Sequence, residues 1–184
     1  PPFEKIVRSL TSFSSKNFIN SLLEQVPVKP QQERIRYRGV TILVTMPCWN
    51  EEGKAGVGAK AVPRKLVDTV CVVDNGSTDL TADEAKEAGA IVISHPVNIG
   101  AGGGIRTGLE YGSRNGYDLL AVLAGDNQDD PMDLYRAADK LIDDDFDYIQ
   151  GSRWLKDGKR ENMTFSRTIL TWVYSLLFRL FFKT

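Results

Sequence analysis

A short segment in the middle of the chain, Ala121 to Pro131, passes from apolar residues directly into acids and amides. The apolar part, Leu119 to Leu123, predicts a buried strand that delivers Asp126 and Gln128 to its carboxyl end. Two hard oxygen ligands separated by one residue suit Mg²⁺ or Mn²⁺ carrying a phosphate group. The same pattern fits a strand that ends in a polar turn closed by Pro131, so this segment alone leaves both interpretations open.

Two earlier apolar runs end in polar turns of the same kind. The first leads into Pro47-Cys-Trp-Asn-Glu-Glu52, which by itself is typical of a turn followed by the start of a helix. The second leads into Asp74-Asn-Gly-Ser-Thr-Asp79, where Gly76 permits a tight turn and Ser77 or Thr78 can cap the next helix. Exposed amides at that helix start would suit a phosphate. Asp74, at the strand tip, is placed to accept hydrogen bonds from a base or a sugar.

A glycine-rich stretch, Asn98 to Arg106, follows a third apolar run. It resembles a dinucleotide-binding fingerprint, but the last glycine of that motif is replaced by Ile105 in one register and by Thr107 in the other. A Rossmann-type cofactor site is therefore not predicted. The glycines, including Gly100, still permit close backbone approach to a ligand or to a neighbouring element.

Strands and helices alternate from Val40 onward, and these elements must position the polar segments. Apolar, β-branched runs separated by helices indicate an α/β fold with a mostly parallel sheet and helices on both faces. In such sheets ligands bind at the carboxyl edge, where all of these polar segments would lie. Strands are predicted at 41–46, 70–73, 90–93 and 119–123, with a fifth beginning at Tyr148 and Ile149, and helices at 80–87, 105–113 and 132–142.

The composition restricts the classes of function. The chain has 184 residues and a net charge of −1, which argues against a nucleic-acid partner because such proteins need a basic surface. Cys48 and Cys71 have no metal-type spacing, and a reducing, cytoplasmic compartment is the simpler prediction. Residues 1–38 are predicted to be a helical appendage and linker, with helices at 3–10 and 17–26, and residues 39–167 the main domain.

Residues 168–184 are predicted to form a C-terminal amphipathic helix, and the stretch 168–182 is rich in apolar and aromatic residues. This stretch is shorter than the ~20 residues that span a bilayer. It fits either a helix at a membrane interface, with Trp172 and Tyr174 near the headgroups, or a helix that packs on a further part of the protein. The chain lacks an initiator Met, so we expect it to be a fragment of a longer protein.

Two conspicuous side chains carry weaker signals. His95 is the only histidine and has no nearby Cys or second His, so it is predicted to be a loop residue and not a metal ligand. Trp49, beside Asn50, fits stacking on a base and packing in the core equally well.

In combination, these segments resemble family 2 glycosyltransferases. The chain looks most like the branch that contains dolichyl- and polyprenyl-phosphate sugar synthases, and the resemblance covers about residues 40–170. The combination of motifs, in the order that the family shows, is far more specific than any one of them. The motifs are Pro47-x-x-Asn-Glu-Glu, Asp74-Asn-Gly-Ser-Thr-Asp, Asn98-x-Gly, Gly125-Asp-x-Gln-x-x-Pro131 and Gly151-Ser-Arg153.

The resemblance implies a GT-A fold and transfer of a sugar from a UDP- or GDP-linked donor, with inversion at the anomeric carbon. The implied acceptor is a polyprenyl or dolichyl phosphate, or a glycan. The implied location is the cytoplasm, with peripheral contact at the cytoplasmic face of a membrane through residues 168–182. The positions that match the family's nucleotide-sugar segments are Pro47, Asn50, Glu51, Asp74, Gly76, Ser77, Asn98 and Gly100.

The resemblance also assigns catalytic roles to one acid and two arginines. Asp126 and Gln128 would bind the Mg²⁺ or Mn²⁺ that bridges the diphosphate, and Asp126, Arg153 and Arg167 would act in catalysis. The two arginines would contact phosphate of the donor or the acceptor. A divalent ion and guanidinium groups neutralise the charge that develops on a diphosphate leaving group.

Two positions depart from the family pattern. The first acid of the common Asp-x-Asp motif is Ala124, so the metal site has one carboxylate fewer, and a Lys that usually follows Asn-x-Gly is Ala101. A base for a hydroxyl acceptor would lie beyond Thr184, with Asp129 and Asp130 as the local candidates. A phosphate acceptor is already anionic and needs no strong base.

Two alternative functions fit parts of the sequence. A nucleotide-sugar-binding module without turnover would agree with Ala124 and Ala101. A nucleotidyltransferase uses a similar sheet and acidic metal ligands, but it normally has a glycine-rich basic loop after the first strand, which the segment 47–52 does not provide.

Overall fold

The computed structural model describes residues 15–30, 33–144 and 146–151. The chain divides into two compact units, and the elements given below belong to the first, which ends at Asp145. None of the helices in the described residues is long and apolar enough to cross a membrane. The predicted helix at 3–10, the arginines Arg153 and Arg167, and the stretch 168–182 lie outside the described residues.

In the part of the chain that the structure describes, four parallel strands form a sheet: β1 Ile42–Cys48, β2 Thr69–Asp74, β3 Ile91–Ser94 and β4 Leu119–Val122. Their order is β3-β2-β1-β4. The predicted apolar runs form these strands, and nearly every residue of the central strands β1 and β2 is buried because helices cover both faces. Cys48 lies opposite Asp74, and Asp74 lies opposite Ser94, so three strand ends are level at one edge.

Five helices accompany the sheet in the described residues: α1 Ser15–Leu23, α2 Ala55–Ala61, α3 Thr81–Glu87, α4 Ala101–Arg114 and α5 Asp133–Asp143. On one face, α2, α3 and α5 pack against the side chains that include Ile42, Val44 and Met46. On the other face, α1 and α4 pack against Leu43 and residues of β2 and β3. The predicted α/β fold, with helices on both faces of a parallel sheet, is confirmed.

Helix α4 lies close to β1 because three of its glycines face the sheet. A Cβ atom on Gly104 would lie 3.0 Å from Pro47 Cβ, and one on Gly108 would overlap Thr45 Oγ1. A Cβ atom on Gly112 would overlap a leucine side chain of β4. Residues four apart lie on one face of a helix, so the helix backbone itself packs on the sheet. The close approach that these glycines permit is to a neighbouring element.

The segment before β1 contributes to the core. Ile19 of α1 is buried in the same apolar cluster as residues of β2 and β3. Arg34, in the stretch predicted to be a polar linker, is 7% exposed, and its guanidinium lies 4.0 Å from the centroid of the Tyr117 ring. Lys29 forms a 2.7 Å ion pair with Asp68, whose side chain is fully buried. Ile19, Lys29 and Arg34 therefore anchor the segment before β1 to the sheet and its adjoining loops.

Three local predictions differ from the structure. Helix α2 follows segment 47–52, which indicated the start of a helix, but its bounds were not predicted because its small residues give no apolar period. Helix α4 begins at Ala101, before the predicted start at Ile105, because its first turn consists of glycines and one alanine. Tyr148 and Ile149 form no strand in the described residues, which end at Gly151.

Candidate functional site

The predicted site segments all lie at strand ends on one edge of the sheet. Segment 47–52 includes the end of β1, and segment 74–79 begins at the last residue of β2. Segment 98–100 follows β3, and segment 125–128 follows β4. Because the strands are parallel, the four segments share the carboxyl edge. The structure thus brings together the predicted site residues that fall within its described part.

Hydrogen bonds join the loops after β1 and β2. Asn50 donates its backbone N–H to Ser77 Oγ at 3.0 Å, and its side-chain oxygen accepts the N–H of Thr78 at 3.0 Å. Glu51 donates its N–H to Thr81 Oγ1 at 2.8 Å. Asn50 has a φ of 52°, a left-handed conformation that asparagine adopts more readily than most residues. The two loops therefore hold each other in a fixed geometry.

Asp74 closes the turn that follows β2. Its Oδ1 accepts the N–H of Ser77 at 2.9 Å, and the residue is 5% exposed. The predicted helix cap by Ser77 or Thr78 is wrong, because α3 begins later and Leu80 occupies its N-cap position without a side-chain hydrogen bond. Ser77 and Thr78 instead bond to Asn50, in the loop after β1.

The loop after β3 packs against the loop after β2 through Gly76. Gly76 has a φ of +77°, and a Cβ atom there would lie 2.6 Å from the Val97 carbonyl carbon and 2.8 Å from the Asn98 nitrogen. Asn98 Oδ1 accepts the N–H of Gly100 at 2.8 Å, and Gly100 has a φ of +85° directly before α4. Both glycines meet requirements of the backbone that side chains would violate.

The acidic segment after β4 lies against the end of β1. A Cβ atom on Gly125 would overlap Cys48 Sγ and lie 2.9 Å from the Pro47 carbonyl oxygen. Asp126 Oδ1 accepts the N–H of Gln128 at 3.1 Å. Asp126 is half-buried and Gln128 is exposed. The close packing of Gly125 therefore fixes where Asp126 enters the site.

Together with burial, three carboxylates from different segments raise the pKa of Cys48, the last residue of β1. Burial, together with the negative charges of Glu51, Asp74 and Asp126, raises the pKa of the Cys48 thiol to about 12. A thiol with so high a pKa stays protonated at neutral pH, so Cys48 is not a nucleophile. The three predicted acids therefore all lie near Cys48, at the end of β1.

Lys54 is a charged residue of this site that sequence reasoning missed. Its Nζ lies 2.7 Å from Glu51 Oε2, and its backbone oxygen accepts the side-chain amide of Asn127 at 3.1 Å. The hydrogen bond with Glu51 raises the pKa of Lys54, and the charge of Asp126 adds to this effect. The only signal in the sequence is a lysine three residues after an acid, a pair that is common on exposed helices.

Other predicted residues have simpler surroundings. Trp49 is 54% exposed, so it does not pack in the core. Asp129 and Asp130 each accept a backbone N–H within their own loop, at 3.0 Å and 2.9 Å. His95 lies in the loop after β3, as predicted, but it is buried, with 3% of its surface exposed.

The sequence matches the family model described as "Glycosyl transferase family 2" over residues 43–184, which is more than half of the chain. A UDP-N-acetylglucosamine–dolichyl-phosphate N-acetylglucosaminyltransferase of Methanococcus voltae is 26% identical, over 70% of this chain and 58% of that protein. An undecaprenyl-phosphate mannosyltransferase of Micrococcus luteus is 30% identical, over 73% of this chain and 57% of that protein. The chain thus spans less than two thirds of the length of these relatives.

Among solved structures, glucosyl-3-phosphoglycerate synthase from Mycobacterium tuberculosis, in complex with Mn²⁺, UDP and glucosyl-3-phosphoglycerate, is 28% identical, with a TM-score of 0.48. That match covers 56% of this chain and 40% of the synthase. The names of the two curated relatives agree with the predicted polyprenyl-phosphate branch. The parallel sheet has the GT-A architecture that the sequence motifs imply. The chain belongs to glycosyl transferase family 2.

Proposed function

We propose that this protein transfers a sugar from a UDP- or GDP-linked donor to an acceptor, with a divalent metal ion and with inversion at the anomeric carbon. The observation that carries the proposal is that the segments bearing Glu51, Asp74 and Asp126 follow β1, β2 and β4 at the shared carboxyl edge, all near Cys48. The segments that supply these acids fall within the match to the family model. The carboxyl edge of an open α/β sheet is also where nucleotide ligands bind.

The nucleotide would lie against the loops after β1 and β2. The hydrogen bonds between Asn50, Ser77 and Thr78 fix these loops before a ligand arrives, and a preorganised site loses less entropy on binding. Trp49, which is 54% exposed at the same loop, supplies a face for the base. Asp74 is 5% exposed, so only a small part of its surface is open to a ligand.

The acidic segment fits a Mg²⁺ or Mn²⁺ ion with few protein ligands. No three His, Cys, Asp or Glu side chains form a metal-binding group within the part of the chain that the structure describes. Mg²⁺ is often held by one or two carboxylates while waters and substrate phosphates complete its shell. Asp126 and Gln128, which remain partly or fully exposed, would supply the protein oxygens. The ion would neutralise charge on the diphosphate leaving group.

Lys54 would supply a further positive charge at the diphosphate. Its ammonium group pairs with Glu51 and lies within the field of Asp126. Ala101 occupies the position where the family pattern usually has a lysine. Lys54, which comes from a different loop, would place a positive charge near the diphosphate in place of that lysine. Arg153 and Arg167 stay predicted phosphate contacts.

The proposed acceptor is a polyprenyl phosphate. This choice is supported by the relatives named for dolichyl phosphate and undecaprenyl phosphate. A phosphate oxygen would attack the anomeric carbon, forming the new bond as the bond to the β-phosphate oxygen breaks and the nucleoside diphosphate leaves. The attacking oxygen is already anionic and needs no strong base, which agrees with the engagement of Asp129 and Asp130 in their own loop. Contact with the cytoplasmic face of a membrane through 168–182 stays a prediction.

Thermal melts with UDP, GDP, CDP and dTDP, each with Mn²⁺ or with EDTA, test the donor site. A ligand at ~100 times its Kd adds ~2.7 kcal/mol, which raises Tm by roughly 5–10 °C for a chain of this length. We expect such a shift for one nucleoside diphosphate, and only with the metal. Asp126→Asn should abolish it, whereas Asp133→Asn, an exposed acid in the first turn of α5, should not.

No shift with any nucleotide, or an unchanged shift in Asp126→Asn, would contradict the proposed site. Turnover is measured on the full-length protein, with the identified donor and a polyprenyl phosphate. Formation of the lipid-linked sugar and the free nucleoside diphosphate is expected. Nucleotide binding without transfer or hydrolysis would favour a binding module. Release of pyrophosphate from a nucleoside triphosphate and a sugar 1-phosphate, in a separate assay, would favour a nucleotidyltransferase.

A further inference from the structure

A buried asparagine at the end of β2 bonds to three successive residues of the loop after β3. Asn75 is 3% exposed. Its Nδ2 donates to Asn98 Oδ1 at 2.9 Å and to the Gly100 carbonyl at 3.0 Å, and its Oδ1 accepts the N–H of Ile99 at 3.1 Å. A backbone N–H faces one end of the amide and a backbone carbonyl faces the other, so these partners determine its orientation.

His95 holds this asparagine from the other side. Its Nδ1 lies 2.9 Å from Asn75 Oδ1, and its Nε2 lies 3.0 Å from Thr107 Oγ1 on α4. Both N–H groups of the Asn75 amide are already used, so the oxygen faces His95 and Nδ1 must carry the proton. The His95 backbone N–H also donates to the Asp74 carbonyl at 2.8 Å. The Phe18 ring lies beside the imidazole, tilted to it by 53° and with 6.1 Å between the ring centroids.

This polar cluster joins the ends of β2 and β3 to α4 directly behind the candidate donor site. Asp74, one residue before Asn75, and Asn98 and Gly100, which Asn75 bonds, are predicted donor contacts. Gly100 has a φ of +85°, so its backbone depends on being held by its surroundings. The cluster determines where the loop presents its backbone to a ligand.

We infer that Asn75 and His95 are positioning residues of the donor site. His95, with its proton on Nδ1, orients the Asn75 amide, and that amide sets the position of residues 98–100, against which the diphosphate and sugar lie. Neither side chain touches the ligand. This inference rests on the proposed function, and it makes a separate statement about the loop that can be measured without any ligand.

Substitutions at His95 distinguish the roles of its two ring nitrogens. Asparagine places an N–H where Nδ1 stands, glutamine places its amide where Nε2 stands, and alanine supplies neither. His95→Asn should keep nucleotide affinity within about threefold of wild type, whereas His95→Gln and His95→Ala should weaken it about tenfold, the effect of one lost hydrogen bond. Asn75→Asp, which cannot donate to the Gly100 carbonyl, should weaken it at least as much. Calorimetry gives the affinities, and thermal melts give the accompanying loss of stability.

The inference would be overturned if all three His95 variants lost nucleotide affinity equally, in proportion to their loss of Tm. That result would show that the cluster only stabilises the fold. Nuclear magnetic resonance provides the readout that needs no nucleotide. We expect the wild-type His95 proton on Nδ1, and displaced Ile99 and Gly100 amide signals in His95→Gln but not in His95→Asn. A proton on Nε2, or unmoved signals in His95→Ala, would refute the positioning role even where nucleotide binding is present. Absence of nucleotide binding with the expected amide shifts would overturn the proposed function alone.

Discussion

Replacing Gly108 with alanine should destabilise the protein by forcing α4 away from β1. The added Cβ would overlap Thr45 Oγ1 and would lie 2.6 Å from Thr45 Cβ and 3.1 Å from Thr45 Cγ2. Thr45 is short and fully buried, so it has no flexible end that can move aside. Overpacking of this kind costs ~1–3 kcal/mol, and alanine regains ~1 kcal/mol over glycine within a helix. Because the clash reaches the Thr45 Cβ, we expect an overpacking cost at the upper end of this range. The net decrease in the free energy of unfolding is then ~2 kcal/mol, which lowers Tm by ~4–8 °C.

Gly102→Ala is the matched control, since no atom lies within 4 Å of a Cβ at that position. It should leave Tm unchanged or raise it slightly, because only helix propensity acts there. Thr45→Ala removes two of the three clashing atoms, so the loss caused by Gly108→Ala should shrink in that background. Urea unfolding and thermal melts of the single and double variants measure these effects. Equal results for Gly102→Ala and Gly108→Ala, or strict additivity with Thr45→Ala, would refute the close packing of α4 on β1.

Three further outcomes are expected. Thr45 Oγ1 is buried and has no hydrogen-bond partner among the described residues. Thr45→Val should remove ~1 kcal/mol of desolvation cost and so raise Tm by ~2–4 °C. A lower Tm would show that the hydroxyl is needed. Burial lowers the pKa of His95, although the charge of Asp74 opposes this effect. The folded state therefore favours neutral His95. Its contribution to the free energy of unfolding is fully present above the ordinary pKa of 6.5 and is lost as the pH falls below that value. Melts between about pH 7 and about pH 5 should show this loss in the wild type and less of it in His95→Gln; parallel curves would contradict it. Lys54→Gln should weaken binding of the nucleoside diphosphate about tenfold and that of the free nucleoside hardly at all, as measured by calorimetry, and equal losses would remove Lys54 from the diphosphate.

The sheet and its ligand edge were predictable because their signals are local. Each strand is a continuous apolar run, which is what a parallel sheet covered on both faces requires. The acids Glu51, Asp74 and Asp126 follow those runs directly, so finding the strands also located the acids. Their convergence then followed from the rule that parallel strands share a carboxyl edge.

The residues that the sequence did not reveal depend on contacts between distant segments. Asn75 and His95 are 20 positions apart, and each is ordinary until the fold places them together. Lys54 lies in the electrostatic field of Asp126 because Gly125 lets the loop after β4 pack closely on the end of β1. The start of α4 was hidden for a different reason. Glycines give no apolar period, and Gly104, which does pack on β1, contacts Pro47 far away in sequence.

The contacts of the segment before β1 determine how short this protein can be made. The family match begins at residue 43, yet Asp68 keeps its buried carboxylate satisfied through Lys29 at 2.7 Å and the N–H of Ile35 at 2.6 Å. A gene trimmed to the family boundary would encode Asp68 without Lys29 and Ile35, and removal of one partner from a buried ion pair typically costs several kcal/mol. Such a trimmed product would be insoluble or unfolded for reasons unrelated to its catalytic residues.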